Sequence, residues 1–263
     1  YYPNFWRNFS EFGGVQAFKG PPDLGVNGNF GFHKGVNWAT PLVPSLGIGF
    51  QLGGIIALSD LEGGNGPVNH RRDQYFVTTG LFRRPENNLG FQAGAVLDYL
   101  HDEFYVRMNL LQIRAEGSWV FRCGHEVGLW AGAHVMNDSQ TAPAFLGMPT
   151  VTWQTTNQYN LFYRRRFNSG STARFWVGLT DYADVMFGSD ATAALAERWA
   201  IQATYNYLLP SGNGSVPSVV RESWGLTISL VWYPGSKVPN SVYNPFKPLF
   251  NVADNSTMMI SSR

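Results

Sequence analysis

The charged and amide side chains of this 263-residue chain carry two kinds of chemistry. Arg114, Glu116, Glu126, His134, Arg174 and Arg198 recur among Gln92, Gln112, Gln158 and Gln202, each on the polar side of an alternating apolar–polar pattern. Such residues can line an aqueous passage and set its charge preference, with the amides as neutral lining. They can equally close on one another, with Arg114 and Arg174 pairing with Glu116 or Glu126 into a salt-bridged filling. At this level both readings stay open. Trp130 and Trp176 share the polar side and argue for partial filling.

Other chemistry is weaker. Hydrolysis needs a nucleophile, a base and an orienting group within hydrogen-bond reach. His33, His70, His101, His125 and His134 are available, but none sits in a motif such as G-x-S-x-G, so interfacial or turn histidines are expected and no catalytic residue is assigned. Asp181, Asp184 and Asp190 offer carboxylates for a hard cation, yet their spacing fits no calcium loop and a solvated acidic loop is expected instead. No metal or cofactor is assigned. Asn8-Phe9-Ser10 and Asn255-Ser256-Thr257 match glycosylation acceptors, a three-residue pattern that by itself decides nothing.

The elements that must position these residues are strands. Charged residues make up 14% of the chain, well below the roughly 25% of ordinary soluble domains. The net charge of +1 gives no electrostatic reason for nucleic-acid binding. Cys123 is the single cysteine, so neither an internal disulfide nor a thiolate-rich metal site is possible. No run of 18 apolar residues exists to form a membrane helix. The start, Tyr1-Tyr2-Pro3 without Met, has the look of a processed or trimmed form.

The run Leu46-Gly47-Ile48-Gly49-Phe50-Gln51-Leu52-Gly53-Gly54-Ile55-Ile56-Ala57-Leu58 has one greasy face and one narrow, mildly polar face at period two. Eleven segments repeat the formula, near residues 9–18, 24–38, 46–58, 75–81, 89–99, 104–121, 127–135, 153–163, 173–179, 198–207 and 223–232. Lys34 breaks the apolar face of the second segment and reads as a bulge or an early exit from the layer, and the sixth segment changes phase near Leu110-Leu111, which reads as a bulge. Residues 183–194 read as a long link. An N-terminal segment with the first strand at 1–22, a transmembrane barrel of 23–233 and a C-terminal extension of 234–263 carrying a short closing strand near 257–260 describe the organisation.

Alternation alone does not say which face is inside. Several segments span about 10–13 residues, long enough for a tilted bilayer crossing. Tyr75, Tyr99, Trp119, Trp153, Tyr163, Trp199, Tyr207, Trp224 and Trp232 sit towards strand ends on the apolar face, where an aromatic girdle would meet the headgroups. Lipid cannot satisfy an open sheet edge, so the strands must close. The expected fold is therefore all-β: a transmembrane antiparallel up-and-down β-barrel of about 12 strands, within 10–12. Long links alternate with short turns. Arg83, Arg84, Arg122, Arg164, Arg165 and Arg166 gather at the short-turn end, within reach of lipid phosphates, and Asp60, Glu62, Asp138, Asp184 and Asp190 at the other. Eleven strands would leave the two ends of the barrel on opposite sides, so either the tail returns as a twelfth strand near 257–260, the favoured count, or one of the eleven segments is not a strand.

On these residues the chain resembles Gram-negative outer-membrane β-barrels of the porin-like type. More narrowly, Gly25-Val26-Asn27-Gly28-Asn29-Phe30-Gly31, Val36-Asn37-Trp38 and Leu46-Gly47-Ile48-Gly49-Phe50-Gln51-Leu52-Gly53 resemble an uncharacterised barrel family of planctomycete bacteria. The closing Asn244-Pro245-Phe246-Lys247-Pro248-Leu249-Phe250-Asn251-Val252-Ala253-Asp254-Asn255 resembles that family's tail. The chain departs from common porins in ending on Arg263 rather than an aromatic residue. The resemblance implies a fold and a bacterial outer-membrane location, not a reaction. The expected function is passive diffusion of small hydrophilic solutes through the lumen, with no enzymatic activity. The alternative is a structural or assembly protein with a plugged barrel. Membrane lipid is the expected partner, with other outer-membrane proteins or further copies of the chain as additional ones and no nucleic acid.

Overall fold

A computed structural model describes residues 5–23, 28–61, 71–85, 89–104, 107–140, 150–211, 222–238 and 244–262. Twelve strands close into an antiparallel barrel: β1 (Ser10–Lys19), β2 (Asn29–Val43), β3 (Ile48–Ser59), β4 (Arg72–Arg83), β5 (Gly90–Glu103), β6 (Arg107–Val120), β7 (His125–Met136), β10 (Gln158–Arg166), β11 (Thr172–Thr180), β12 (Val185–Ala196), β13 (Trp199–Leu209) and β14 (Ser223–Trp232). Each strand pairs with its neighbour in the chain, and β1 pairs with β14 to shut the seam. Three further strands, β8 (Asp138–Gln140), β9 (Val151–Thr155) and β15 (Ile260–Ser262), form a small separate sheet.

Strict alternation explains the wall. Along β10, Gln158, Asn160, Phe162, Arg164 and Arg166 point inward, while Tyr159, Leu161 and Tyr163 are exposed on the outside. Leu129, Phe175 and Leu226 belong to the same outer surface, with Leu129 63% exposed. A contiguous outer band of Leu, Ile, Val and Phe is far larger than water tolerates and suits hydrocarbon. The inner wall, by contrast, buries Gln51, Gln74, Gln92, Gln112 and Gln158 completely. The protein is therefore turned inside out relative to a soluble sandwich.

Some of these expectations need correction. The twelfth strand is β12, in the stretch read as a link, and not the tail; Ile260–Ser262 does form a strand, but on Val151–Thr155 inside the barrel mouth rather than in the wall. With β12 in place, both barrel ends, Ser10 and Trp232, lie on the short-turn side. The first strand, β1, pairs over its length with β2 and β14 and is an integral stave of the ring. Lys34 causes no bulge: it stays in register on the outside, where its ammonium meets the Glu11 carboxylate at 2.9 Å. The irregularity near Leu111 does exist, on the β6–β7 pairing, where the register shifts between Leu111 and Gln112.

Links at one end are short: residues 44–47, 84–89, 121–124, 167–171 and 197–198. The other end carries the longer ones, including 60–71, 137–157 and 210–222. From the short-turn end, residues 244–262 enter the lumen, climb its inner wall and finish against β9 at the long-link end.

Candidate functional site

The site is the lumen and what fills it. Inner-wall side chains from six of the twelve strands hold the tail by its backbone. The Gln51 amide oxygen accepts from the N–H groups of Leu249 and Phe250, both at 3.1 Å, and its NH₂ donates to the Phe250 carbonyl at 3.3 Å. Asn37 donates to the same carbonyl at 2.9 Å, and Arg114 to the Asn251 carbonyl at 2.8 Å. Higher up, the Thr78 hydroxyl accepts from the Ala253 N–H at 2.9 Å, and Asn206 donates to the Ser256 carbonyl at 2.8 Å. Gln158 and Gln112 converge on the Thr257 carbonyl at 3.0 and 3.4 Å. A tail without its own ladder needs such partners, because buried backbone groups left unpaired are costly.

Glycines make the space. A Cβ on Gly53 would stand 2.5 Å from Val252 Cγ2, one on Gly94 2.8 Å from the Phe250 ring, and one on Gly225 2.9 Å from the Ser256 backbone. Three strands thus leave out a side chain where the tail passes. At the long-link end the filling is apolar: Phe76, Leu100, Met108 and Leu110 of the wall pack with Val151, Trp153, Val252, Ala253, Met258 and Ile260. This accounts for the apparent phase change near Leu110, whose inward side chain belongs to that core.

Towards the short-turn end the filling is ionic. Glu126 accepts from Arg164 at 2.7 Å and from Arg166 at 2.7 Å, Glu116 from Arg164 at 3.0 Å and Arg174 at 2.8 Å. Arg174 also pairs with Asp190, and Arg114 with Asp98 at 2.9 Å. Gln92 bridges to both Glu126 and Arg166. A second buried cluster lies at the opposite end, where Arg72, 1% exposed, holds Asp23 and Asp102 and lies against the Phe18 ring. Dry pairs of this kind owe their persistence to complete hydrogen bonding more than to Coulomb energy.

Of the expected lumen residues, Gln92, Gln112, Arg114, Glu116, Glu126 and Gln158 are buried inside, while Arg174 and Gln202 line an inner cavity. His134 stands at the long-link rim against Asn157. Arg198 does not line the lumen: it is exposed in the β12–β13 turn, where its carbonyl accepts from Tyr233. Arg164 and Arg166 leave the lipid-facing set, because strand parity turns them inward onto Glu116 and Glu126. Asp190 leaves the long-link acidic set for Arg174, which also parts it from Asp181 and Asp184. Glu62 and His70 lie outside the described residues. His33 is buried on the inner wall at 2.7 Å from the Ser229 hydroxyl.

Among the girdle residues, Trp153 is overturned: it is 3% exposed and packs inside, because β9 folds back into the mouth. Tyr75, Trp119, Tyr163 and Trp199 are exposed on the outer wall; Tyr99, Tyr207, Trp224 and Trp232 face outward half-covered. Trp199 stacks on Trp232 with centroids 6.1 Å apart at the short-turn rim. Asp98, Arg72, Asp102 and Asp23 were missed, although Asp98 and Asp102 share the inner parity of Gln92 on β5.

Two small cavities remain beside the tail at the short-turn end, with room for water of about 80 and 90 Å³. Both are lined by Arg114, Arg174, Asp190 and Lys247, and the second adds Arg84, Arg164, Arg166 and Trp130. Lys247 comes from the tail, at the barrel mouth; burial, then the nearby Arg84 and Arg166, bring its ammonium down to about 7.

Among solved structures, a membrane protein from work on the mechanism of in-meso crystallization aligns with a TM-score of 0.51 at 8% identity, covering 97% of this chain and all of that one. The KdgM porin aligns with a TM-score of 0.49 at 8% identity over 85% of this chain and 98% of its own, and a Pseudomonas aeruginosa FadL homologue with 0.45 at 8% over 86% and 89%. At such identities these likenesses concern the fold alone. No curated protein matches the sequence. A family model spans residues 8–260, and the chain belongs to that family, the family of unknown function DUF6666.

Proposed function

We propose that this protein is a bacterial outer-membrane β-barrel held closed by its own C-terminal segment, a plugged structural or assembly component rather than a standing pore. One observation carries the reading. Between Leu249 and Thr257 the tail is hydrogen-bonded by inner side chains from β2, β3, β4, β6, β10 and β13, and it passes over glycines that leave it room. Twelve strands enclose a narrow lumen, and small barrels are readily filled from within.

The apolar exterior supports lipid as the partner, and the outer-membrane likeness of the sequence, including its planctomycete-like segments, supports the location. Other outer-membrane proteins or further copies of the chain are additional partners in this reading. Enzymatic activity, nucleic-acid binding and a cofactor form no part of it.

The second reading, passive passage of small hydrophilic solutes, draws on the polar cavities that flank the tail at one end. Planar-bilayer recording of the full chain separates the two. The closed reading expects little or no steady current from the wild type and a clear rise when Gly225→Val evicts the tail. A large steady current from the wild type, unchanged in the variant, would decide for the open channel.

A further inference from the structure

One stretch of the outer wall carries charge away from a strand end. Lys34 is the sixth residue of β2, and its ammonium meets the Glu11 carboxylate of β1 at 2.9 Å on the outside of the barrel. The Lys34 stem runs over Gly13, where an added Cβ would stand 3.9 Å from its Cγ. The pair is open, with the Lys34 side chain 75% exposed and that of Glu11 34%. Apart from this pair, every Asp, Glu, Lys or Arg among the described residues that points outward from a barrel strand is one of the last two residues at an end of it.

Apolar side chains lie on both sides of the pair. Phe30 and Phe32, both more than half exposed, stand towards the long-link end. Towards the short-turn end, Phe5, Trp6, Phe9 and Trp38 form an aromatic knot, with Phe5 stacked on Trp38 at 5.1 Å between centroids. Ionisable groups facing hydrocarbon are costly and mark working faces of membrane proteins.

Symmetry says what can cover them. Copies of one chain enter a membrane the same way round, so two of them pair about a two-fold axis along the membrane normal. That rotation keeps height and exchanges left with right. Lys34 and Glu11 are ion-paired across neighbouring strands, so their charged ends share one height. A facing copy therefore sets its glutamate against the first copy's lysine, and its lysine against the first copy's glutamate. Between the flanking aromatics the β1 row is low, with Gly13, Val15 and Ala17, and lets two walls approach.

We infer that the β1–β2 face docks a second copy of this chain within the membrane, through a four-charge cluster built from both copies of Lys34 and Glu11. The inference rests on the lipid-facing outer wall of the proposed function and not on a closed lumen.

The test uses the full chain in lipid vesicles, with Val15→Cys on this face or Leu129→Cys on β7, six places round the ring, each in a Cys123→Ser background. A short bis-maleimide is added at low protein-to-lipid ratio, and dimer is read on a denaturing gel. Val15→Cys is expected to give at least tenfold more dimer than Leu129→Cys. Lys34→Glu places two acids on the face, and Glu11→Lys two lysines. Each swap, added to Val15→Cys, should lose dimer at least fivefold alone, and a mixture of the two, told apart by a size tag, should regain it as the mixed pair. Neither swapped chain recovers its own internal pair, so recovery reports contact between chains. If a swap prevents the heat-modifiable fold, Lys34→Met replaces it, with at least a threefold loss expected. Equal cross-linking at the two positions in folded, inserted chains leaves the pair to lipid and overturns the inference. Dimer that survives both swaps overturns it too. A chain that does not enter the vesicles refutes the membrane placement and the docking face together, a result distinct from an inserted monomer.

Discussion

Gly225 on the inner wall lies so close beneath Ser256 that a Cβ there would stand 2.9 Å from the Ser256 Cα. Ser256 Oγ would be nearer still, at 2.7 Å, but turning that hydroxyl away leaves the backbone Cα and N of Ser256 both at 2.9 Å. The outward neighbours Trp224 and Leu226 are unaffected by what stands at residue 225.

A branched side chain at that point should therefore remove the tail and spare the ring. Gly225→Val is expected to keep the folded, heat-modifiable barrel while making residues 244–262 sensitive to an added protease that leaves the wild type intact. Cleavage at equal rates in both proteins would count against a seated tail.

Glu126 is fully buried between Arg164 and Arg166 and also accepts from Ser118 at 2.8 Å. Removing one partner of a buried ion network leaves uncompensated charge, at a cost of about 3–5 kcal/mol. Glu126→Ala is expected to lose stability on that scale in guanidinium unfolding from micelles. Glu197→Ala, an exposed pair with Lys237, should change it by less than about 1 kcal/mol. Similar losses in the two variants would contradict the buried network.

The outer wall makes the opposite demand. Leu129 is 63% exposed midway along β7, so in hydrocarbon Leu129→Arg should cost about 2–4 kcal/mol. A chain whose outer face met water would tolerate the change. Unfolding from lipid vesicles measures the difference directly.

Lys247 gives a pH dependence whose sign follows from its lowered value of about 7. Between there and the usual lysine range, about 10.4, the undocked tail binds the proton more fully than the docked one. Docking is then weakest below pH 7 and strengthens as pH rises through that window. Protease resistance of the tail should increase from pH 6 to pH 9, and Lys247→Met should flatten the profile. A resistance that falls over that range would reverse the assignment.

The two ends of the barrel can be told apart chemically. Cys123 is exposed in a short turn, and Ser211 is exposed at the long-link end. An impermeant maleimide should reach native Cys123 from one face of oriented vesicles and Ser211→Cys, in a Cys123→Ser background, from the other.

The barrel itself was legible because alternation at period two is strong wherever large residues mark the outside, as in Phe91, Ala95 and Leu97 against Gln92 and Asp98. It failed at β12, whose run Gly188-Ser189-Asp190-Ala191-Thr192-Ala193 has too little contrast in size or polarity to declare a face. Arg164 and Arg166 were grouped with their neighbours by charge, when parity with Tyr163 already turned them inward. Trp153 was misread for a different reason: the segment read as one strand over 153–163 divides into β9 and β10, and β9, buried over most of its length, pairs with Ile260–Ser262 inside instead of joining the wall. The tail was opaque for the same reason. Nothing local in its Pro- and Asn-rich sequence announces that its partners are amides on distant strands.

The route of that tail constrains how the molecule is made. Trp232 and Ser10 share one rim, yet Ser262 is found at the opposite opening, so the polypeptide passes through a hoop formed by its own earlier part. Folds seldom thread a loop, because pushing a free end through a finished ring is slow. The easier order seats the segment while β1 and β14 are still apart and joins them around it. On that order, joining those two staves becomes the committing event in biogenesis, and a chain interrupted before its last residues would be sealed around the wrong contents.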